Sequence, residues 1–322
     1  MWKMVITVSA AIAGIGATTM SRGQGTPATN ESSWKALTTE PSRGQLFSAW
    51  ANGISKSTGI KQFAFPYSFK FPTNADNDVD GTPRKNSYFG IDISHHNGDK
   101  FPLNSLKAQS VAFVYTKATQ GTDFADKTFP KRWRGLKSLP TDQRVPRGAY
   151  HFLSSNPAQS GASQADRFLE YVNLHGGFEE GDLRPALDLE WDKACKTCAD
   201  RWQTNKRTPE QIISTTLDFV NRVKEKTGWT PLIYTNKSFL TDVHITKPAD
   251  IQKLTQNQKI WIFDLAAKDS QLEIADPKKN LPYVLWQFSW GGKLTDGYAG
   301  GLDVDSFKGT DAQFKEIFLT RN

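Results

Sequence analysis

The sequence predicts an α/β fold, an irregular TIM-like (β/α) barrel that follows an N-terminal extension. Three observations lead there. After residue 87 the chain carries eight short apolar runs of strand length, amphipathic segments separate most of them, and the last three runs crowd together. Strand and helix in alternation imply parallel strands joined by right-handed crossovers, and eight such strands suggest closure. The crowding at the end leaves room only for short helices or hairpins, so the barrel is expected to be irregular.

In chain order, residues 1–20 combine one early positive charge at Lys3 with a short apolar run and small residues near Ala17. That pattern fits a secretory signal peptide better than a membrane span, since Ser, Thr and Gly dilute it. Residues 21–45 are rich in Ser, Thr, Gly and Pro and read as a linker. Leu46, Phe47, Trp50, Ala51 and Ile54 recur at helical spacing, and residues 63–71 alternate aromatic with small or polar side chains. Residues 21–87 are therefore expected to form a linker and arm, partly docked on the unit at 88–322. The strand candidates are 88–94, 111–119, 147–153, 184–191, 231–235, 259–265, 284–289 and 302–307. The first four units are spaced widely enough for full helices. The clearest helix spans 208–227, with Thr208 as N-cap, Pro209 at the first helical position, Gln211 completing a capping box and Gly228 as the stop.

Composition narrows the chemistry. A net charge of +7 suits an anionic polymer, but the basic residues are scattered and no nucleic-acid motif occurs. Nucleic acid is not an expected partner, and no stable membrane span is expected. The cysteines, Cys195 and Cys198, form a lone C-x-x-C with no second pair to complete a zinc site. In an exported chain such a pair reads as a local disulfide pinning a loop beside the cleft, with two free thiols as the alternative.

The most informative run is Arg184-Pro-Ala-Leu-Asp-Leu-Glu-Trp-Asp192. Residues two apart share a strand face, so Asp188 and Glu190 bring two carboxyl groups together. Crowded acids titrate apart, which lets one site hold a proton donor and a charged stabiliser at one pH. Glycoside hydrolysis requires that division. Barrels of this kind place their site at the C-terminal strand ends, which gathers Asp92, Ser94, Tyr150, His151, Asp188, Glu190, Tyr234, Trp286, Gln287 and Asp303 at one mouth.

Taken in order, Gly90-Ile-Asp-Ile-Ser94, Phe113-Val-Tyr-Thr-Lys-Ala-Thr119, Gly148-Ala-Tyr-His-Phe152, Pro185-Ala-Leu-Asp-Leu-Glu190, Ile233-Tyr-Thr235, Leu285-Trp-Gln287 and Leu302-Asp-Val-Asp305 resemble glycoside hydrolase family 25, the Chalaropsis-type lysozymes. The resemblance implies an N-acetylmuramidase cutting the β-1,4 bond between N-acetylmuramic acid and N-acetylglucosamine in peptidoglycan. It implies Glu190 as proton donor, Asp188 as its neighbouring carboxylate, and Asp92 and Asp303 as the remaining acids. The D-x-E on one strand favours Asp188 as the group orienting the substrate 2-acetamido group, with Asp92 or Asp303 as a base for water, or a covalent role, as the alternatives. Ser94, Tyr150, Tyr234, Trp286 and Gln287 are the expected substrate-binding residues. It also implies no cofactor and no metal, although His95 and His96 stand beside Asp92. Thr116 and Gln120 depart from the Ile and Glu of many relatives, and residues 193–207 look like an added loop.

The competing readings are a non-catalytic glycan-binding barrel and a metal-dependent carbohydrate hydrolase or deacetylase; reducing-end release and chelator sensitivity separate them from the first. The expected partner is the peptidoglycan glycan strand, met by a monomer in the periplasm or outside the cell. An immunity-like inhibitor is expected only if the protein serves as an antibacterial toxin.

Overall fold

The structure, a computed structural model, describes residues 87–321 apart from 110, 196, 264–280, 282, 293, 295–297, 299 and 309–310. The signal-peptide and arm expectations for residues 1–86 lie outside the described residues. Nine strands are described: β1 (Ser87–Ile93), β2 (Phe113–Gln120), β3 (Phe124–Ala125), β4 (Arg147–Phe152), β5 (Ala186–Asp188), β6 (Leu232–Thr235), β7 (Lys259–Phe263), β8 (Leu285–Gly292) and β9 (Leu302–Lys308). Eight of them close in the order β1-β2-β4-β5-β6-β7-β8-β9 and back to β1, while β3 is a short flap paired only to β2.

Seven members of the barrel run parallel. The eighth, β9, runs antiparallel to both its neighbours, β8 and β1, the hairpin option among the short connections expected for the crowded last runs. Only a short connection separates β8 from β9, and a parallel pairing would need a crossover of a dozen residues or more to bring the chain back.

Helices pack outside: α1 (Phe129–Ser138), α2 (Gly161–Leu174), the single turn α3 (Arg201–Thr204), α4 (Pro209–Thr227), α5 (Lys237–Asp242), α6 (Pro248–Thr255) and α7 (Asp311–Phe314). The first connection holds only 3-10 turns, within residues 95–109, rather than the full helix that its length suggested. Gly98 at φ 73° and Pro102 break the run. In α4 the expected capping box forms: Gln211 N donates to Thr208 Oγ1 at 3.3 Å, and Thr208 N donates to Gln211 Oε1 at 3.0 Å. Gly228 ends this helix in the left-handed region at φ 77°.

Two cores follow from strand alternation. Outward residues such as Ile91, Ile93, Leu187, Leu189, Ile233, Ile260, Ile262 and Val304 pack beneath the helices. Inward residues Tyr88, Phe113, Tyr115, Ala186, Leu232, Trp261, Leu285 and Phe307 fill the barrel. Glycine makes this filling feasible: a Cβ on Gly90 would run into the Phe113 ring, and one on Gly148 into the ring of Tyr115. At the end where β1 begins, Phe307, Phe314 and Phe318 close the floor.

Candidate active site

The opposite end is polar, and the strand ends explain why. Asp92 is the penultimate residue of β1 and Asp188 the last of β5, and both side chains are buried, at 3% and 5% exposure. With Tyr150, Ala186, Tyr234 and Trp261 they line one narrow cavity in the barrel's upper layer. Asp303 reaches this end by a different route from the one expected. It stands near the start of β9, and because that strand is antiparallel its start lies at the mouth, where Asp303 and Asp92 are Cα partners.

Glu190 follows β5 on a segment held from several sides. Leu189 N donates to Tyr234 O at 2.8 Å, Trp202 Nε1 donates to Glu190 O at 2.9 Å, and Asp192 N donates to Asp200 Oδ1 at 2.9 Å. Asp192, fully buried, accepts from the Ser155 N–H at 2.9 Å and from the Ser155 hydroxyl at 2.8 Å. These bonds fix the backbone of the D-x-E run, so Glu190 is carried on a rigid support even though β5 itself has only three residues. Cys195 and Cys198 are joined in a disulfide within the following loop, whose base is bridged by Lys193 and Asp200.

On the same end, the loops after β1, β2, β4 and β5 enclose a cleft of about 590 Å³. His95, Gln120, Phe124, Ser155, Asn156, Asp192, Lys193 and Arg201 are among its lining residues. Its wall at β1 is built around Asp126. Burial raises the Asp126 pKa, but bonds from His95 and Thr128 outweigh it and hold the carboxyl at about 2. The partners are His95 N at 2.7 Å, His95 Nδ1 at 3.1 Å, Thr128 N at 2.9 Å and Thr128 Oγ1 at 2.7 Å. The His96 ring lies against that of His95, tilted by 38° with centroids 4.0 Å apart, and burial, then the charge of His95, lowers its pKa to about 4. Among the described residues no group of three or more His, Cys, Asp or Glu could hold a metal ion.

Residues 91–296 match the sequence profile of the glycosyl hydrolases family 25. The chain belongs to that family. Lysozyme M1 of Streptomyces globisporus is 28% identical to the family 25 chain over 226 residues, covering 70% of this chain and 69% of that protein. The N,O-diacetylmuramidase of Chalaropsis sp is 32% identical over 156 residues, covering 47% and 66%. An alignment with the autolytic lysozyme of Clostridium acetobutylicum, at 25% identity, spans 68% of this chain and 55% of that protein. Among solved structures, the bacterial lysozyme from Streptomyces coelicolor superposes with a TM-score of 0.57 at 26% identity, over 71% of this chain and 95% of its own. The family GH25 lysozyme from Aspergillus fumigatus gives 0.55 at 25% identity, over 72% and 98%.

Not every expected residue of the family 25 barrel lines its mouth. Trp286 turns outward, 1% exposed in the core beneath the helices, and is a packing residue; the adjacent Gln287 takes the inward position. Its place in the cavity is taken by Trp261, which the sequence reading missed and whose Cα partner on β6 is Tyr234. Ser94 caps the turn at His95–Asn97: its Oγ accepts from His96 N at 3.4 Å and its own N–H donates to Asn97 Oδ1 at 2.8 Å. His151 also points outward, fully buried between Thr119 at 2.8 Å and Gln164 at 3.2 Å, and stacked on Phe219. It is a packed core histidine.

Proposed function

We propose that this family 25 hydrolase cleaves the β-1,4 bond between N-acetylmuramic acid and N-acetylglucosamine in peptidoglycan, with Glu190 as general acid. Asp188 orients the 2-acetamido group of the sugar, which attacks its own anomeric carbon as the glycosidic oxygen takes the Glu190 proton; Asp92 and Asp303 complete the acidic rim. The observation that carries this reading is the shared end of β5 and β1, where Asp188 and Asp92 line one cavity with Tyr150 and Tyr234 and Glu190 follows two residues on. A glycosidic oxygen leaves poorly unless it is protonated, and an oxocarbenium-like centre needs a negative or nucleophilic partner close by.

The lysozyme names of the relatives support action on cell walls, and residues 1–20 support export by a signal peptide. The 21–87 arm, a monomeric state and an inhibitor of immunity type stay part of the proposal. Digestion of purified peptidoglycan tests it: the new reducing ends should be N-acetylmuramic acid. Reducing-end N-acetylglucosamine alone, or release that stops when a chelator is added, would assign a different hydrolase. A glycosyl adduct trapped on Asp188, Asp92 or Asp303 would replace acetamido participation with direct attack by a carboxylate.

A further inference from the structure

Behind the cavity, three buried side chains from three different strands form one hydrogen-bonded chain across the barrel. The Tyr234 hydroxyl donates to Gln287 Oε1 at 2.9 Å, and Gln287 Nε2 donates to Asp92 Oδ2 at 2.5 Å. Tyr234 is on β6, Gln287 on β8 and Asp92 on β1, so the chain reaches over β7 and β9. Exposures of 5%, 1% and 3% keep it away from water. Tyr234 and Asp92 line the cavity, whereas Gln287 does not.

Chemistry dictates the direction of this chain. A carboxylate only accepts, so a primary amide beside Asp92 must turn its N–H₂ toward it; the reversed amide would set two acceptors together. Once turned, the amide offers its carbonyl to Tyr234, and the tyrosine proton is given to the protein. Burial strengthens each link and raises the cost of breaking one. The charge on Asp92 and the hydroxyl orientation of Tyr234 are thereby coupled through a residue that lies behind both.

We propose that Gln287 is a positioning residue, which locks the Asp92 carboxylate and the Tyr234 hydroxyl into one arrangement and does not itself contact the sugar. On this proposal Gln287 supports the site instead of binding substrate, and Tyr234 belongs to the same unit rather than acting as an independent sugar platform. The inference rests on the reading that places Asp92 in the active site.

The test is a double-mutant cycle with Gln287→Met and Tyr234→Phe, reading kcat and KM on soluble glycan oligomers of alternating N-acetylglucosamine and N-acetylmuramic acid. Gln287→Met should lower kcat roughly tenfold to a hundredfold, the size expected for losing a hydrogen bond to a charged group, with KM held within about twofold. Tyr234→Phe should cost less, and the double variant should be no slower than Gln287→Met by more than about twofold, because both remove one coupled unit. Losses that multiply, or a KM that climbs while kcat is retained, would overturn the proposal and make both residues separate sugar contacts. A second measurement needs no activity and serves even where Gln287→Met fails to fold. The side-chain amide N–H signals of Gln287 should shift in both Asp92→Asn and Tyr234→Phe. Signals unmoved by either change would refute the chain, whereas inactivity of the wild-type protein would refute only the muramidase reading.

Discussion

The two ends of the barrel solve opposite problems with the same strands. At the floor, Phe113, Phe307, Phe314 and Phe318 pack ring against ring, and a deeply buried cation there, Arg184, gives its guanidinium to backbone carbonyls of Ile317, Thr230 and Thr320 at 2.5, 2.7 and 3.3 Å. At the mouth lie buried acids with an amide and a phenol: Tyr234, Gln287 and Asp92 in one hydrogen-bonded chain, and Asp192 held by Ser155. The floor gains stability from apolar burial. The mouth holds groups whose bonding can change during a reaction, and it depends on the floor and outer core for rigidity.

Changes at one end should therefore leave the other nearly untouched, and the largest effect should come from the mouth. Glu190→Gln removes a proton and almost no volume, so peptidoglycan hydrolysis should fall by roughly 10² to 10⁴, the usual worth of general acid catalysis. The melting temperature should stay within a degree or two of wild type. Wild-type turnover in this variant would remove Glu190 from the central role.

Next in size is the converse experiment at the floor. Phe318→Ala empties a site among three other rings, and deletions of buried aromatics cost about 3 to 5 kcal/mol. Denaturant titration should show that loss, while kcat per folded molecule stays within about twofold of wild type. A large fall in kcat with unchanged stability would show that the two ends are not separable.

Acid titration sharpens the comparison through two buried groups outside the proposed acid set. Burial lowers the His151 pKa, the bond from Gln164 partly restores it, and Lys117 lowers it again, to about 3 from an ordinary 6.5. The folded state thus keeps this ring neutral. Its share of stability is complete above pH 6.5 and is lost as pH falls from there toward 3, because the unfolded chain takes up the proton first. Asp126, held at about 2 rather than 3.8, adds stability above pH 3.8 that is lost between there and pH 2. Unfolding free energy should drop by a few kcal/mol from pH 7 to pH 3, since each tenfold difference in proton affinity between the folded and unfolded chain is worth about 1.4 kcal/mol. His151→Phe should flatten the upper part of that curve; an unchanged slope would show that this histidine takes up its proton as readily in the fold as in the unfolded chain.

The smallest effect should come from the disulfide. Closing so short a loop removes little entropy from the unfolded chain, so reduction of Cys195 and Cys198 should lower stability by no more than about 2 kcal/mol. Thiol counting on the unreduced protein should find none, and two free thiols would refute the bond. A larger stability loss on reduction would mean that the loop, which borders the cleft at Lys193 and Ala194, holds more than itself in place.

Much of this architecture was legible because apolar runs, caps and stop signals act locally. The two ends of α4 need only Thr208 and Gln211 for the capping box and Gly228 for the stop, and β1, β2, β4 and β6 lie close to where their β-branched and aromatic runs suggest. What failed depends on partners. The run at 184–191 shortens to three paired residues because Pro185 has no N–H to give and the chain past Asp188 turns away, tied down by Trp202 and Ser155. Trp286 was given the wrong face because a strand buried on both sides is apolar in both phases, and nothing in Leu285-Trp-Gln287 marks which residue looks inward. The same ambiguity hid Trp261. Asp126, remote in sequence from the D-x-E run, was missed since its role exists only once β1 brings His95 beside it.

The reversed direction of β9 also sets where anything attached to the barrel must hang. Ser87, the first residue of β1, and Lys308, the last of β9, are Cα partners at the floor, so the strands of the barrel begin and end at neighbouring points opposite the mouth. A support, a reporter domain or a wall-targeting module joined ahead of Ser87, or beyond the floor segment whose Thr320 carbonyl binds Arg184, would be tethered from behind, with the cleft turned outward toward a polymer too large to enter a closed pocket. The geometry favours immobilisation and fusion at these two points over the loops of the mouth.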